Sequence, residues 1–171
     1  MKEYAGGVLM TIRVVVNGAA GRMGREVVKA VSQANDMALV GACDQQGVGE
    51  DVGSLAGIGP LAVNVENSLA GVLAHSRANV MVDFTEPASA LHNVYTAIRQ
   101  GVRAVVGTTG LTQVDLDDID AAARGKSVGV LVAPNFAMGA VLMMHFAQQA
   151  AEWFPHVEII ELHHDRKKDA P

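Results

Sequence analysis

The stretch IRVVVNGAAGRMG, residues 12–24, decides the fold. Its first residues are almost continuously apolar and β-branched, which is typical of a strand buried on both faces of a parallel sheet. A turn follows in which Gly18, Gly21 and Gly24 are spaced three apart. Glycine allows positive φ angles and lets a ligand approach the backbone closely. A strand that runs through such a turn into a helix is typical of a nucleotide-binding unit.

The rest of the chain repeats this alternation of strand and helix. Further strands are predicted at residues 38–43, 80–84, 102–106, 128–132 and 157–162. Helices are predicted at residues 22–33, 87–99, 111–124 and 138–153. The glycine-rich and acidic stretch 45–61 has no clear period and is predicted to be a long loop. This order predicts an α/β protein with a doubly wound parallel sheet, a Rossmann-type dinucleotide-binding domain.

The predicted domain organisation has three parts. Residues 1–11 are expected to form a flexible leader, residues 12–155 the dinucleotide-binding domain, and residues 156–171 the beginning of a truncated substrate-binding domain. The apolar stretch 137–154 is interrupted by polar residues such as His145 and Glu152. It therefore indicates a buried helix of a soluble protein and not a membrane span.

Composition excludes several classes of protein. Half of the 171 residues are apolar and 18% are charged, which rules out a disordered chain. The net charge is −5, without a basic block before the last residues, which argues against a nucleic-acid binder held by phosphate contacts. Cys43 is the one cysteine, so an internal disulfide is impossible and a reduced, cytoplasmic setting fits.

An acidic residue lies at the position where a dinucleotide-binding fold holds the ribose. Asp44 follows Gly24 by twenty residues and ends the second predicted strand, where such folds hold the ribose hydroxyls. Because Ala19 takes the middle position, the turn reads G-x-x-G-x-x-G, and a tight turn without ligand is the alternative. Its position favours nucleotide binding. Gln45 carries no charge and Arg22 is placed to reach a phosphate, so NADPH or NADH both stay open.

Three later strands end in polar segments that parallel topology brings to the same sheet edge. They are DFTEP (83–87), GTTG (107–110) and APNFAMG (133–139), and together they predict a shared cleft. The backbone of residues 107–109 is expected to face a carboxamide, and Asn135 and Phe136 the nicotinamide side. Asp83 is expected to be a helix cap or a structural hydrogen-bond partner, without a catalytic role.

The chain ends in ELHHDRKKDAP, residues 161–171, which by itself indicates a solvated tail. A metal site is the sharper alternative, since histidine and aspartate are metal ligands. Adjacent side chains on a strand point to opposite faces, so His163 and His164 cannot easily share one ion. No metal is therefore predicted.

Five segments in this order, NGAAGRMG, VDFTEP, GTTGL, APNFAMG and ELHHDRKKDAP, resemble the dihydrodipicolinate reductase (4-hydroxy-tetrahydrodipicolinate reductase) family. The resemblance covers nearly all of residues 12–171. It implies a nicotinamide-dependent reductase of diaminopimelate and lysine synthesis, acting on a cyclic imine dicarboxylate. It also implies a second, mixed α/β domain that binds substrate and builds a homotetramer.

The resemblance also implies roles for individual residues. His163 would be the proton donor, Lys167 the second catalytic residue, and His164 a substrate contact. The residues implied in cofactor binding are Gly18, Ala19, Ala20, Gly21, Arg22, Met23, Asp44, Gly107, Thr108, Thr109, Ala133, Pro134, Asn135 and Phe136.

Two departures from the family pattern matter. The family often has arginine where Gln45 stands, which weakens an NADPH assignment. The family motif continues after Asp-Ala-Pro into Ser-Gly-Thr, whereas this chain stops at Pro171. The chain by itself is therefore expected to be inactive, with its oligomeric state open. The alternative function is an NAD(P)-binding module without catalytic activity of its own.

Overall fold

The computed structural model describes residues 11–133, 135–154 and 156–160. Within these ranges, six parallel strands form one sheet. They are β1 (Ile12–Asn17), β2 (Met37–Cys43), β3 (Val65–Glu66), β4 (Val80–Asp83), β5 (Arg103–Val106) and β6 (Val130–Val132). The strand order is β3-β2-β1-β4-β5-β6. The chain winds outward from β1 in both directions, so the predicted doubly wound sheet is confirmed.

Six helices lie in the same described residues. They are α1 (Arg22–Gln33), α2 (Val52–Ala56), α3 (Leu69–Ser76), α4 (Pro87–Arg99), α5 (Gln113–Lys126) and α6 (Met138–Ala151). Local signals set several of the ends. Pro87 occupies the first turn of α4, where its missing N–H is not needed. At α5, Thr112 and Asp115 form a reciprocal capping box. These hydrogen bonds lower the pKa of Asp115.

The core has two layers because β1 is buried on both faces. Val14 and Val16 pack on one side with residues of α1 and α2, such as Val28 and Val52. Val15 packs on the other side with residues of α3, α4 and α5. Alternate residues of a strand point to opposite faces, so a central strand must be apolar at nearly every position. This explains the uninterrupted VVV in the opening stretch.

The strand predicted at residues 157–162 was wrong, and the loop predicted at residues 45–61 contains one short helix. Residues 156–160 carry no strand, and residues 161 and 162 lie outside the described part of the chain. The sheet still has six strands, because it contains the two-residue β3, which the sequence did not predict. Two residues are too few to show a period. The predicted loop at 45–61 contains α2, and Asp51 organises it by accepting hydrogen bonds from the N–H groups of Ser54 and Leu61. Val52 and Ala56 of α2 also pack in the core, but a helix of five residues is too short to show a hydrophobic period.

The chain divides into two compact units, Met1–Pro134 and Asn135–Pro171. In the second unit the helix predicted at 138–153 is present as α6, but the prediction that it is buried was wrong. None of its residues is buried, and Met138, Met143 and Phe146 are among the exposed ones. A helix buries its apolar side chains only against another layer. The described residues of this unit contain no second helix or strand.

Candidate cofactor-binding site

The glycine turn begins where β1 ends and lies against the loop after β4. Gly18 has a φ of +79°, which favours glycine strongly. A Cβ at this position would lie 2.7 Å from the carbonyl oxygen of Phe84. The N–H groups of Gly18 and Ala19 donate to the carbonyl of Cys43, at 2.8 and 3.1 Å. These contacts fix the turn against the ends of both strands that flank β1.

Helix α1 opens directly behind the turn. Gly21 is its N-cap and supplies no side-chain hydrogen bond. The first N–H groups of a helix have no intrahelical acceptor, so this end offers donors and a positive dipole to an anion. A Cβ on Gly24 would lie 1.9 Å from the carbonyl oxygen of Gly18. Only glycine therefore lets α1 start so close to the turn.

Asp44 connects the turn to β2. One of its carboxylate oxygens accepts from the N–H of Ala20 at 2.9 Å, and the other from the N–H of Gln46 at 3.0 Å. The residue is only partly buried. Each carboxylate oxygen has a second lone pair, so Asp44 can still accept hydrogen bonds from a ligand hydroxyl.

A cleft of about 810 Å³ opens at this edge of the sheet. Its volume is within the ordinary range for small-molecule and cofactor sites. The cleft is lined by residues at the ends of β1, β2 and β4, at the start of α3 and along α4. The lining residues are Asn17, Gly18, Gly21, Cys43, Asp44, Gln45, Gln46, Asn67, Ser68, Leu69, Ala70, Phe84, Thr85, Glu86, Ser89, His92, Asn93 and Thr96.

The loops after β4 and β5 pack against each other beside this cleft. A Cβ on Gly107 would lie 2.1 Å from the ring of Phe84, so the ring rests on the Gly107 backbone. Thr108 is buried, and its hydroxyl donates to the carboxylate of Asp83 at 3.2 Å. Two of the three polar segments that the sequence predicted to share an edge, residues 83–87 and 107–110, are therefore in contact.

Cys43 lies among these groups at the end of β2. Burial raises the pKa of its thiol to about 11, with further increases from the negative charges of Asp44, Glu66 and Asp83. A thiol with this pKa is almost entirely protonated at neutral pH and is a poor nucleophile. Its side chain acts as a small apolar group in the core.

The predicted cofactor residues fall into three groups. Gly18, Gly21 and Asp44 line the cleft, and residues 19, 20, 22 and 23 complete the turn and the first turn of α1. Residues 107–109 follow β5, and Ala133 follows β6. Asn135 and Phe136 belong to the second unit, where Asn135 accepts from the N–H of Ala137 at 2.8 Å.

Pro134, His163, His164 and Lys167 lie outside the described residues. Their assignments stay predictions. Among the residues that the structure does describe, no group of three or more histidine, cysteine, aspartate or glutamate side chains is arranged to hold a metal ion. Within the same ranges, no helix has the length and apolar character needed to cross a membrane.

Sequence reasoning missed much of the cleft. The residues around the start of α3, Asn67 to Ala70, were not assigned because that helix was not predicted. Asn17 was read only as the last residue of a strand, although a polar residue at the end of a fully buried strand was a usable signal. His92 and Thr96 sit on one face of α4, four residues apart, and the sequence alone does not say which face meets a cleft.

The parallel sheet, the glycine turn at its switch point and the acid after β2 define a dinucleotide-binding α/β protein. Two family descriptions match the chain: "Dihydrodipicolinate reductase, N-terminus" over residues 12–136 and "Dihydrodipicolinate reductase, C-terminus" over residues 139–171. The chain belongs to the dihydrodipicolinate reductase family.

Individual relatives agree with this assignment. The 4-hydroxy-tetrahydrodipicolinate reductase of Moorella thermoacetica is 54% identical over 95% of this chain, and that of Rippkaea orientalis is 55% identical over 94%. The chain spans 61% and 60% of the length of these two relatives.

Solved structures match as well. Dipicolinate-bound dihydrodipicolinate reductase from Paenisporosarcina sp. TG-14 has a TM-score of 0.76 and 41% identity, covering 95% of this chain and 62% of its own. An NAD complex of a protein from gentamicin A biosynthesis has a TM-score of 0.67, covering 89% of this chain and 43% of its own. At 20% identity the second match shows only that the fold is shared.

Proposed function

We propose that this chain binds a nicotinamide dinucleotide and that the reaction it takes part in is that of 4-hydroxy-tetrahydrodipicolinate reductase. The observation that supports this most directly is the cleft that joins the glycine turn, the start of α1 and Asp44. Its parts suit a dinucleotide: N–H donors for a pyrophosphate and a carboxylate for ribose hydroxyls. Membership of the reductase family supplies the proposed reaction.

The strand order supports one direction for the bound cofactor. With the pyrophosphate at the turn after β1 and the adenosine ribose at Asp44 after β2, the adenosine half lies on the β2 side. The nicotinamide half then extends to the opposite side, over the ends of β4 and β5. The loops of residues 84–87 and 107–110 are the parts of the first unit that would receive it.

We further propose that NADH is preferred over NADPH. Gln45, next to the ribose acid, is neutral and directs its amide N–H₂ to the carbonyl of Asn67 at 3.3 Å. The lining contains the acids Asp44 and Glu86, and the described residues that form it include no lysine or arginine. Arg22, the first residue of α1, is not among the lining residues. A 2′-phosphate in the cleft would therefore meet negative charge without a cationic partner from the lining.

The reductase reaction needs a hydride and a proton. The cofactor supplies the hydride when bound, and the protein supplies orientation and a proton. On the strength of the family resemblance, His163 is proposed to donate the proton, Lys167 to stabilise developing negative charge, and His164 to contact the dicarboxylate substrate. A cytoplasmic setting, a homotetramer and the domain bounds 12–155 and 156–171 are further parts of this proposal.

Cofactor binding is the first test. Titration of the chain with NADH and NADPH, followed by nicotinamide fluorescence, is expected to show a dissociation constant at least about tenfold lower for NADH. Asp36→Asn serves as a control, because it removes an acid that is not among the cleft-lining residues. Absence of binding by the folded chain would refute the dinucleotide assignment, and a preference for NADPH would refute the assignment of NADH.

Turnover is the second test. NADH oxidation is measured in the presence of freshly formed 4-hydroxy-tetrahydrodipicolinate. Binding of NADH without substrate-dependent oxidation is the result expected of the chain by itself, in line with the alternative of a binding module. Substrate-dependent oxidation would contradict this expectation, and its loss in His163→Ala and Lys167→Ala, with unchanged NADH binding, would support the roles proposed for these residues.

A further inference from the structure

The most densely hydrogen-bonded side chain in the cleft region is Asp83, the last residue of β4. Its side chain is completely buried. One oxygen accepts from the amides of Asn17 and Asn93, at 2.7 and 2.9 Å. The other accepts from the N–H and hydroxyl of Thr85 and from the hydroxyl of Thr108, at 3.0, 2.7 and 3.2 Å.

These five donors come from four different parts of the first unit. Asn17 ends β1, Thr85 belongs to the loop after β4, Asn93 lies on α4, and Thr108 belongs to the loop after β5. All five donors are neutral. A buried carboxylate needs several good hydrogen bonds to replace its lost hydration, so this arrangement is expensive to maintain and sensitive to the place of each donor.

The two loops that Asp83 holds are the ones that the cofactor direction assigns to the nicotinamide half. Thr85 lines the cleft, and Thr108 sits beside Gly107, whose backbone supports the Phe84 ring. Asp83 is not itself among the cleft-lining residues. It therefore acts on a ligand only through the groups that it orients.

We propose that Asp83 is a positioning residue that holds the loops of residues 84–87 and 107–110 for the nicotinamide half of the cofactor. This inference rests on the proposed function, because it takes the direction of the dinucleotide from it. It goes further by separating the two halves of the cleft: the adenosine half depends on Asp44, and the nicotinamide half depends on Asp83 through Thr108 and Thr85.

ADP-ribose separates these two halves experimentally, because it has the adenosine, pyrophosphate and ribose groups and lacks nicotinamide. The dissociation constants of NADH and ADP-ribose are measured by calorimetry on the full 171-residue chain and on Thr108→Val. This variant keeps the size of the buried side chain and removes the hydroxyl that donates to Asp83. We expect NADH to bind about tenfold more weakly and the dissociation constant of ADP-ribose to change less than about twofold. The lost hydrogen bond to the Asp83 carboxylate supports only the loops proposed to hold the nicotinamide half, which ADP-ribose lacks.

Thr108→Ser is the matched variant, because it keeps the hydroxyl and removes only a methyl group. It is expected to bind NADH within about twofold of the unmodified chain. Asp83→Asn is expected to follow Thr108→Val, since a neutral acceptor holds the threonine hydroxyls less strongly. If Asp83→Asn does not fold, the comparison of Thr108→Val with Thr108→Ser still decides.

Two results would overturn the inference. Equal weakening of NADH and ADP-ribose in Thr108→Val would show a general structural role, and unchanged NADH affinity would show no role in binding. Failure of the unmodified chain to bind either ligand is a separate outcome: it overturns the proposed function, and the positioning role of Asp83 with it.

Discussion

Two aspartates end or follow the strands that flank β1, and they use their carboxylates in opposite ways. Asp44, after β2, is partly exposed and accepts two backbone hydrogen bonds beside an open cleft. Asp83, at the end of β4, is completely buried and accepts five. Asp83 is level with Cys43 in the sheet register, and Asp44 lies one residue further along the chain. At these neighbouring positions the same side chain is proposed to bind a ligand on one side, and on the other it holds the protein together. Burial and the number of donors make the difference.

The largest expected effect tests the structural half of this comparison. Asp83→Ala removes the acceptor of five hydrogen bonds and leaves several buried donors without a partner. We expect the free energy of unfolding to fall by about 3–5 kcal/mol. Urea denaturation measures this change. Asp44→Ala is the matched control and is expected to cost less than about 1 kcal/mol, because its donors are near solvent. Similar losses for both variants would contradict the comparison.

The glycine turn that separates the two acids comes next. Gly18→Ala places a side chain at a φ of +79° and a Cβ 2.7 Å from the carbonyl oxygen of Phe84. We expect a loss of about 3 kcal/mol and weaker NADH binding. Gly49→Ala separates the two causes, since Gly49 has a φ of +84° with no atom within 4 Å of a Cβ. That variant is expected to lose only about 1–2 kcal/mol, and an equal loss would show that the contact with Phe84 is unimportant.

The ligand side of the comparison is tested by Asp44→Asn. We expect the dissociation constant of NADH to rise about thirtyfold, which corresponds to ~2 kcal/mol, because a neutral amide accepts ribose hydroxyls weakly. ADP-ribose is expected to lose affinity by the same factor, since it contains the same ribose. Loss of NADH affinity without loss of ADP-ribose affinity would place the ribose elsewhere.

A smaller effect concerns the neighbour of Asp44. Gln45→Arg adds a guanidinium beside the proposed position of the 2′-phosphate of NADPH. We expect NADPH affinity to increase about tenfold, or ~1.4 kcal/mol, with NADH affinity changed less than twofold. Gln45→Met is the control for side-chain length and is expected to show no gain. An equal gain in both variants would mean that charge is not the determinant.

The smallest effect uses Cys43 as a reporter of both acids. Asp44 contributes more than Asp83 to the raised thiol pKa, which is about 11. Asp44→Asn is therefore expected to lower this pKa more than Asp83→Asn, although burial remains its main cause. The pH dependence of the Cys43 ¹³Cβ chemical shift measures it, with Cys43→Ser identifying the signal. The reverse order would contradict the assigned charge effects.

The local patterns of the sequence were sufficient for much of the fold. The almost continuously apolar IRVVVN strand, the glycine spacing and the position of Asp44 predicted the doubly wound sheet and one half of the cleft. They succeeded because a central parallel strand must be apolar on both faces and because a tight turn before a helix needs glycine. The helix predicted at residues 87–99 matches α4, because proline at the first turn is a local signal for a helix start.

Tertiary structure alone decided the rest. A two-residue β3 and an α2 organised by Asp51 have no period of their own, so they appear only when their neighbours are in place. The burial of Asp83 and its contact with Thr108, 25 residues away, depend on strand order, which no local pattern encodes. The exposure of α6 is a second example of what local patterns do not encode: its apolar sequence predicted burial, and its residues are not buried. An apolar pattern determines that a helix can be buried, but the layers packed around it determine whether it is.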